Sequence, residues 1–505
     1  MQTILKRRWQ GSLLLKLALA AALVLLGDLV FWQLQQALGV QGLFMLGLCA
    51  ALLAARPAVR QDRRARIALG LAALYALAQL WDPSPLAFAL FWTAIGMATL
   101  LPATARFDDG WRWLQRLVAH GFKALFGPLI DLIILGKVRR KRPSGPLGLR
   151  RAGPLLALPL AGGLVFVVLL AQANPVIAAL LDQLRLPEFD WTLLPRMLLW
   201  GLLALLGWGV LRARPPRRLL GTLDATGDVM LPGFSLASIT LSLILFNALF
   251  AVQNLMDLAY LSGSLALPQG ITLADYAHRG AYPLVATALL AALFVAVTSR
   301  PGSRAAASPA VRRLVAAWIA QNVVLVASAA WRTWDYIQAY SLTVLRISAL
   351  LWMALVAVGL VLVLVRMLQA KPLSWLINAN LLSAGLVLSA VSLIDLGAVA
   401  ASWNVRHARE VGGTGAGLDL CYLDDLGASA LLPLIELEQR PLSDDLRRKA
   451  GATRAYRMVQ MQQTQRIGGW SLLLDYRLRR AAALLGQDSP TPPHSERPCY
   501  GRYDD

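Results

Sequence analysis

The sequence predicts an all-α protein: a polytopic bundle of transmembrane helices followed by a small, mainly helical soluble domain. Three observations carry that prediction. Of the 505 residues, 57% are hydrophobic and only 15% charged, and the mean hydropathy of +0.56 lies far above that of a soluble chain this long. Apolar runs of membrane-crossing length recur as far as Ala400. Basic residues then gather in alternate loops between those runs, as the positive-inside rule requires.

Taken in order, the spans fall near residues 11–33, 41–55, 67–81, 86–101 and 152–172. Six more follow near 192–211, 232–255, 281–298, 313–331, 347–366 and 376–400, which makes eleven. The second and third are short for a bilayer. Trp9, Trp81, Trp191, Trp331 and Trp375 stand at run edges, where indole rings anchor helices in the interface. The first run lacks a small-residue cleavage site and is too long for a signal-peptide core, so it is expected to remain as a span.

Lys6 to Arg8, Arg56 to Arg66, Lys137 to Arg142, Arg212 to Arg218, Arg300 to Arg313 and Arg366 to Lys371 mark one side of the membrane. The intervening loops, QQALGVQG and WDPSP among them, carry few or no basic residues. The amino terminus is therefore expected in the cytoplasm and, after eleven spans, the carboxyl terminus outside it.

The organisation that follows has four helices in residues 1–105 and a basic cytoplasmic connection in 106–151. Seven helices occupy 152–402, and 403–505 form the soluble domain, expected to be extracytoplasmic. Within the connection, RFDDGWRWLQRLVAHGFKALFGPLIDLIILG has the charge and Trp spacing of an amphipathic helix lying in the interface. A twelfth span through Phe122–Gly136 is the alternative; it is short, holds Lys123 and Asp131, and would turn the later basic loops outward. After Trp403 the long apolar runs stop. Gly412, Gly413, Gly415 and Gly417 suggest a flexible lead-in to amphipathic helices.

The formal charge of +21 would suggest nucleic acid in a soluble chain. Here roughly 35 Lys and Arg face 15 Asp and Glu before Trp403, against about 14 and 13 after it. The excess thus belongs to the short loops that set topology, so the expected partner is the lipid bilayer and no nucleic acid. The near-neutral C-terminal domain holds Cys421 and Cys499, which an exported domain can join as a disulfide or leave as two free thiols.

Several stretches resemble a bacterial membrane family, domain of unknown function 4173, and its relative 4153. They are AQANPVIAAL near Asn174, LFNALFAVQNLMDLAYLSG from Leu245, DYAHRGAYPLVATALLAALF from Asp275, LTVLRISALLWMALVAVGL from Leu342 and LDLCYLDDLGASALLPL from Leu418. The hexapeptide HRGAYP, His278 to Pro283, is the most specific of them, and the likeness covers roughly residues 150–480. In WRTWDYIQAY, Arg332 and Asp335 stand further apart than in the family pattern. The resemblance implies an integral protein of the bacterial inner membrane with no established activity.

No P-loop, GxSxG, HExxH or CxxC occurs and there are four His in all, so neither an enzyme nor a cofactor or metal site is implied. Asn247, Asn254 and Asp257 fall within about 80° of one helix face. They line either a pathway or a seam of interhelical hydrogen bonds, the second being the more ordinary use. Asp275, His278, Arg279 and Arg346 are expected near Asp257 in the outer loops, as an anion site or as ion pairs locking hairpins together. Asn174-Pro175 ends or kinks the fifth span. Asp28 and Asp395 are expected to snorkel at outer helix ends. Two functions stay open: a transport or permease-like protein, or an envelope-sensing or scaffold protein that acts through the C-terminal domain on another membrane or envelope protein.

Overall fold

The computed structural model describes residues 2–33, 38–104, 107–128, 131, 193–213, 235–262 and 302–486, with scattered positions among 159–166, 215–221 and 286–300. Every element among them is helical. Of the spans expected near 152–172 and 281–298, only scattered positions are among the described residues.

The first half packs α1 (Gln2–Asp28), α2 (Gln41–Ala55), α3 (Arg63–Trp81) and α4 (Pro85–Leu100) around Phe44, Leu48, Leu52, Ala72, Phe91 and Ile95. Their ends follow from local chemistry. Asp62 caps α3 by accepting from the Arg64 amide at 2.8 Å, and Ser84 caps α4 by accepting from Ala87 at 3.1 Å, with Pro85 in the first turn. Gln79 closes the WDPSP turn, donating to the Ser84 carbonyl at 2.6 Å and accepting its amide at 3.1 Å. Gly42 lets α2 and α3 touch: a Cβ there would stand 2.5 Å from the Ala76 carbonyl oxygen.

The amphipathic connection contains α5 (Gly110–Leu125). Asp109 caps it through the Arg112 amide at 2.9 Å, and Arg116 grips Asp108 in a bidentate pair at 2.5 and 2.6 Å. Trp113 and His120 face inward, whereas Leu114, Val118, Phe122 and Leu125 form an exposed apolar stripe at helical spacing.

The second half comprises α6 (Leu193–Leu211), α7 (Leu236–Leu261), α8 (Pro309–Tyr340), α9 (Val344–Leu368) and α10 (Leu373–Leu393). α6 packs antiparallel on α1, while α7, α8, α9 and α10 share a core of Leu243, Val315, Trp318, Val356 and Leu360. Among the described residues, seven helices are long and apolar enough to cross a membrane.

The run expected to form one span over 376–400 is two helices. α10 stops at Leu393, and Asp395 starts α11 (Leu396–His407) by accepting from the Ala398 amide at 3.0 Å. A carboxylate at a helix start meets free N–H groups and the positive dipole end, which makes the break local and specific. Ala401 and Val405 of α11 then join the core of the C-terminal helices α12 (Leu420–Asp425), α13 (Leu431–Glu438) and α14 (Asp444–Arg466), while α15 (Leu472–Leu485) packs through Leu474, Leu478 and Ala481 on the other side of α13 and α14. The glycine-rich lead-in is a bonded turn: Gly413 donates to Ala408 and Gly415 to His407, each at 2.9 Å, with Gly412 at φ +82°.

These C-terminal helices cap one end of the bundle. Asn404 on α11 accepts from the Leu342 amide at 2.7 Å and donates to its carbonyl at 2.9 Å. The Tyr422 hydroxyl accepts from the Val344 amide at 2.9 Å, and Gly39 donates to the Trp470 carbonyl at 3.1 Å. Trp334 meets Trp403 edge-on at 5.6 Å and Trp81 lies 6.3 Å from Tyr476. The loops so engaged follow α1 and α8, and Trp81 is the last residue of α3, whereas Arg63, Arg64, Arg66, Arg312 and Arg313 stand at or near the N-terminal ends of α3 and α8. Cap and basic segments therefore occupy opposite ends of the bundle.

Candidate functional site

The polar face of α7 meets α8. Asn247 donates to the Leu314 carbonyl at 3.1 Å, and seven residues on Asn254 donates to the Gln321 carbonyl at 3.2 Å. Both bonds span the same 67 positions in sequence, so the helices run parallel in heptad register. Gln321 returns a bond to the Asn247 side-chain oxygen at 2.8 Å. One turn further, Asp257 accepts from Ser328 at 2.8 Å, Gln253 at 3.1 Å and Arg332 at 3.2 Å. Asp257 and Arg332 are both buried. The side-chain oxygens of Asn254, Gln321 and Asn322 are buried without a hydrogen-bond partner among the described residues. Each interhelical amide bond contributes roughly 0.6 to 2 kcal/mol.

Of the other residues singled out in the sequence, Arg346 stands apart from this seam. It donates to the Tyr340 carbonyl at 2.6 Å and to that of Ser341, and its guanidinium lies 4.1 Å from the Tyr336 ring centroid. It thereby pins the turn on which the cap rests. Asp275, His278, Arg279, the HRGAYP hexapeptide and Asn174 lie outside the described residues. So does Cys499; Cys421 is in the first turn of α12, and Cys49 is a buried free thiol. The proposed pairing of Cys421 with Cys499 therefore falls outside them too.

Asp28 does not snorkel. It is buried against α6, accepting from Arg196 at 2.6 and 2.8 Å and from the Trp200 indole at 2.7 Å. The available signal was one Arg in an otherwise apolar span facing one Asp in another. Asp131 likewise binds Trp208 at 2.9 Å and Arg212 at 2.8 Å. At the joint between bundle and cap, Asp395 accepts from Ser429 at 2.8 and 3.0 Å and pairs with Arg477. Burial pushes the Asp395 carboxyl upward, but Arg477, the Ala398 amide and Ser429 outweigh it and hold it below the ordinary carboxylate value. Among the described residues no three His, Cys, Asp or Glu side chains gather as a metal ligand set.

Membrane-length helices joined by buried ion pairs, with a helical cap bound to one end, define a capped helical membrane protein. The chain matches the family model described as Domain of unknown function (DUF4153) over residues 66–437 and belongs to that family. The match begins earlier than the resemblance read from the sequence and takes in α3 and α4. No curated protein and no solved structure matches it.

Proposed function

We propose that this is a scaffold or sensor of the bacterial inner membrane that works through its C-terminal helical cap. The observation that carries the reading is the docking of the cap on the bundle: Asn404, Tyr422 and Trp470 bind backbone groups of two loops, and Asp395 ties the last span to Arg477. Such contacts couple the position of the cap to that of the helix ends. The transport reading draws on Asn247, Asn254 and Asp257, whose hydrogen bonds among the described residues go to α8 and within α7, a use that holds helices together. The placement of the cap opposite the basic segments supports a cytoplasmic amino terminus and an extracytoplasmic cap under the positive-inside rule. In that compartment Cys421 and Cys499 form a disulfide, and the partner is another envelope protein. Kinship with family 4173, carried by HRGAYP, belongs to the same proposal.

The test compares three chains in cells whose own copy is deleted. A chain ending at Leu393 inserts and fails to complement, whereas Asn247→Ala and Asn254→Ala chains complement. If the truncated chain complements fully while either Asn variant does not, the reading is wrong and a pathway along the seam takes its place.

A further inference from the structure

Lys16, Arg56, His120, Lys123 and Arg212 converge where α1, α2, α5 and α6 meet, at the end of the bundle that carries the basic segments. Arg56, just past α2, donates to the Thr99 carbonyl at the end of α4 at 2.7 Å, and the Thr99 hydroxyl reaches the Val210 carbonyl of α6 at 3.5 Å. A Cβ on Gly209 would lie 2.5 Å from that of Ala124, so α5 touches α6 beside Lys123. Leu23 of α1 lies against Gly207, and the antiparallel course of the two helices sets Lys16, two turns earlier, level with Arg212. Charge in this cluster is poorly balanced. Arg212 pairs with Asp131 at 2.8 Å, whereas Lys16, Arg56 and Lys123 are half-buried and make no ion pair among the described residues. The charges that act on Lys16 are those of Arg56 and Arg212, and those that act on His120 are Arg56 and Lys123, so each faces its own sign. His120 is only 7% exposed, and its Nδ1 is buried with no hydrogen-bond partner among the described residues.

We propose that this cluster binds the phosphate of an anionic phospholipid. Lys16, Arg56 and Lys123 supply the charge, and the imidazole N–H of His120 donates to a phosphate oxygen. Depth identifies where the phosphate comes from. Lys16 stands in the first turn of the membrane-length apolar stretch that starts at Leu13, and its neighbours Leu14, Leu15 and Leu17 are exposed. A lysine so placed reaches the headgroup layer from the edge of the hydrocarbon, and a phosphate bound to it keeps its acyl chains on those leucines. Phe122, exposed beside Lys123, adds apolar surface from α5. A zwitterionic headgroup brings its own ammonium into a cluster that repels cations, so the site selects a headgroup without one, of the phosphatidylglycerol kind. Because the phosphate draws on α1, α2 and α5 together, its binding fastens the amphipathic helix to the bundle.

The experiment is native mass spectrometry of the full-length chain in dodecyl maltoside, titrated with phosphatidylglycerol or phosphatidylcholine. Retention of phosphatidylglycerol is expected at concentrations where phosphatidylcholine is not retained, with affinity cut tenfold or more in a Lys16→Gln, Lys123→Gln chain. An Arg63→Gln, Arg66→Gln chain loses the same charge from exposed positions at the same end of the bundle and is expected to bind as the parent does. Melting without added lipid, unchanged from the parent, shows that each variant is folded; should the lysine pair melt early, Lys16→Gln alone carries the comparison. Equal affinity in the lysine variant, an equal loss in the arginine variant, or phosphatidylcholine retained as strongly as phosphatidylglycerol overturns the proposal. Displacement of the lipid by millimolar inorganic phosphate would assign the cluster to a free anion and overturn it as well.

Discussion

The carboxylate of Asp257 accepts a hydrogen bond from the Arg332 guanidinium at 3.2 Å, and both side chains are buried between two parallel helices. Removing one member of a buried ion pair strands the other, which typically costs about 3 to 5 kcal/mol, while replacing both by apolar groups is close to neutral. Arg332→Met is therefore expected to lower the melting temperature in detergent strongly. Asp257→Leu added to it restores much of the loss. A single variant as stable as the parent chain would show that the pair does not hold α7 to α8.

His120 gives α5 a dependence on acidity. Burial, then the charges of Arg56 and Lys123, push its imidazole down to about 4 from 6.5, and its Nδ1 is buried without a partner among the described residues. A base whose folded value is depressed takes up its proton first in the unfolded chain, so the native state is favoured above pH 6.5. That advantage is lost as pH falls from 6.5 toward about 4. Melting midpoints at pH 7.5 and pH 5 are expected to differ more for the parent chain than for His120→Met.

Asn404 bonds both backbone groups of Leu342, the residue joining α8 to α9. Asn404→Leu leaves that amide and carbonyl buried and unsatisfied, at roughly 1 to 3 kcal/mol. Hydrogen exchange of α11 and α12 is expected to accelerate by tenfold or more while α3 and α4 keep their protection. Acceleration spread evenly over the bundle would mean that the contact does not hold the cap in particular.

The helices of the bundle were legible because an apolar run of membrane length has few other readings. Asn247 and Asn254 were legible as a face for the same reason, a spacing of seven. Their partners on α8 needed the converse step, since Leu314, Gln321 and Ser328 repeat at seven as well. The break at Asp395 was hidden because Leu396–His407 is apolar enough to pass for the end of a span; only packing reveals that Ala401 and Val405 serve the cap core. Charge alone groups Arg346 with the outer-loop residues as an anion site or as ion pairs, but its donors go to the Tyr340 and Ser341 carbonyls of its own turn. Hydropathy cannot separate those uses, because it carries no information on which backbone acceptors come within reach.

The cysteines give a chemical test of compartment. Non-reducing peptide mapping is expected to recover Cys421 linked to Cys499, with Cys49 as a free thiol that reacts only after unfolding, since it is buried in α2. Recovery of Cys421 and Cys499 as free thiols from freshly opened cells would place the cap in a reducing compartment.

The side of the membrane on which the cap sits decides most directly whether it can work as proposed. Arg448 lies on the exposed face of α14, its side chain 78% accessible. With Cys49 replaced by Ala, an Arg448→Cys chain in intact spheroplasts treated with a membrane-impermeant maleimide tests this in one step. The account predicts labelling without lysis, to the same extent as after it. Labelling that appears only once the membrane is opened would put the cap in the cytoplasm and contradict the account.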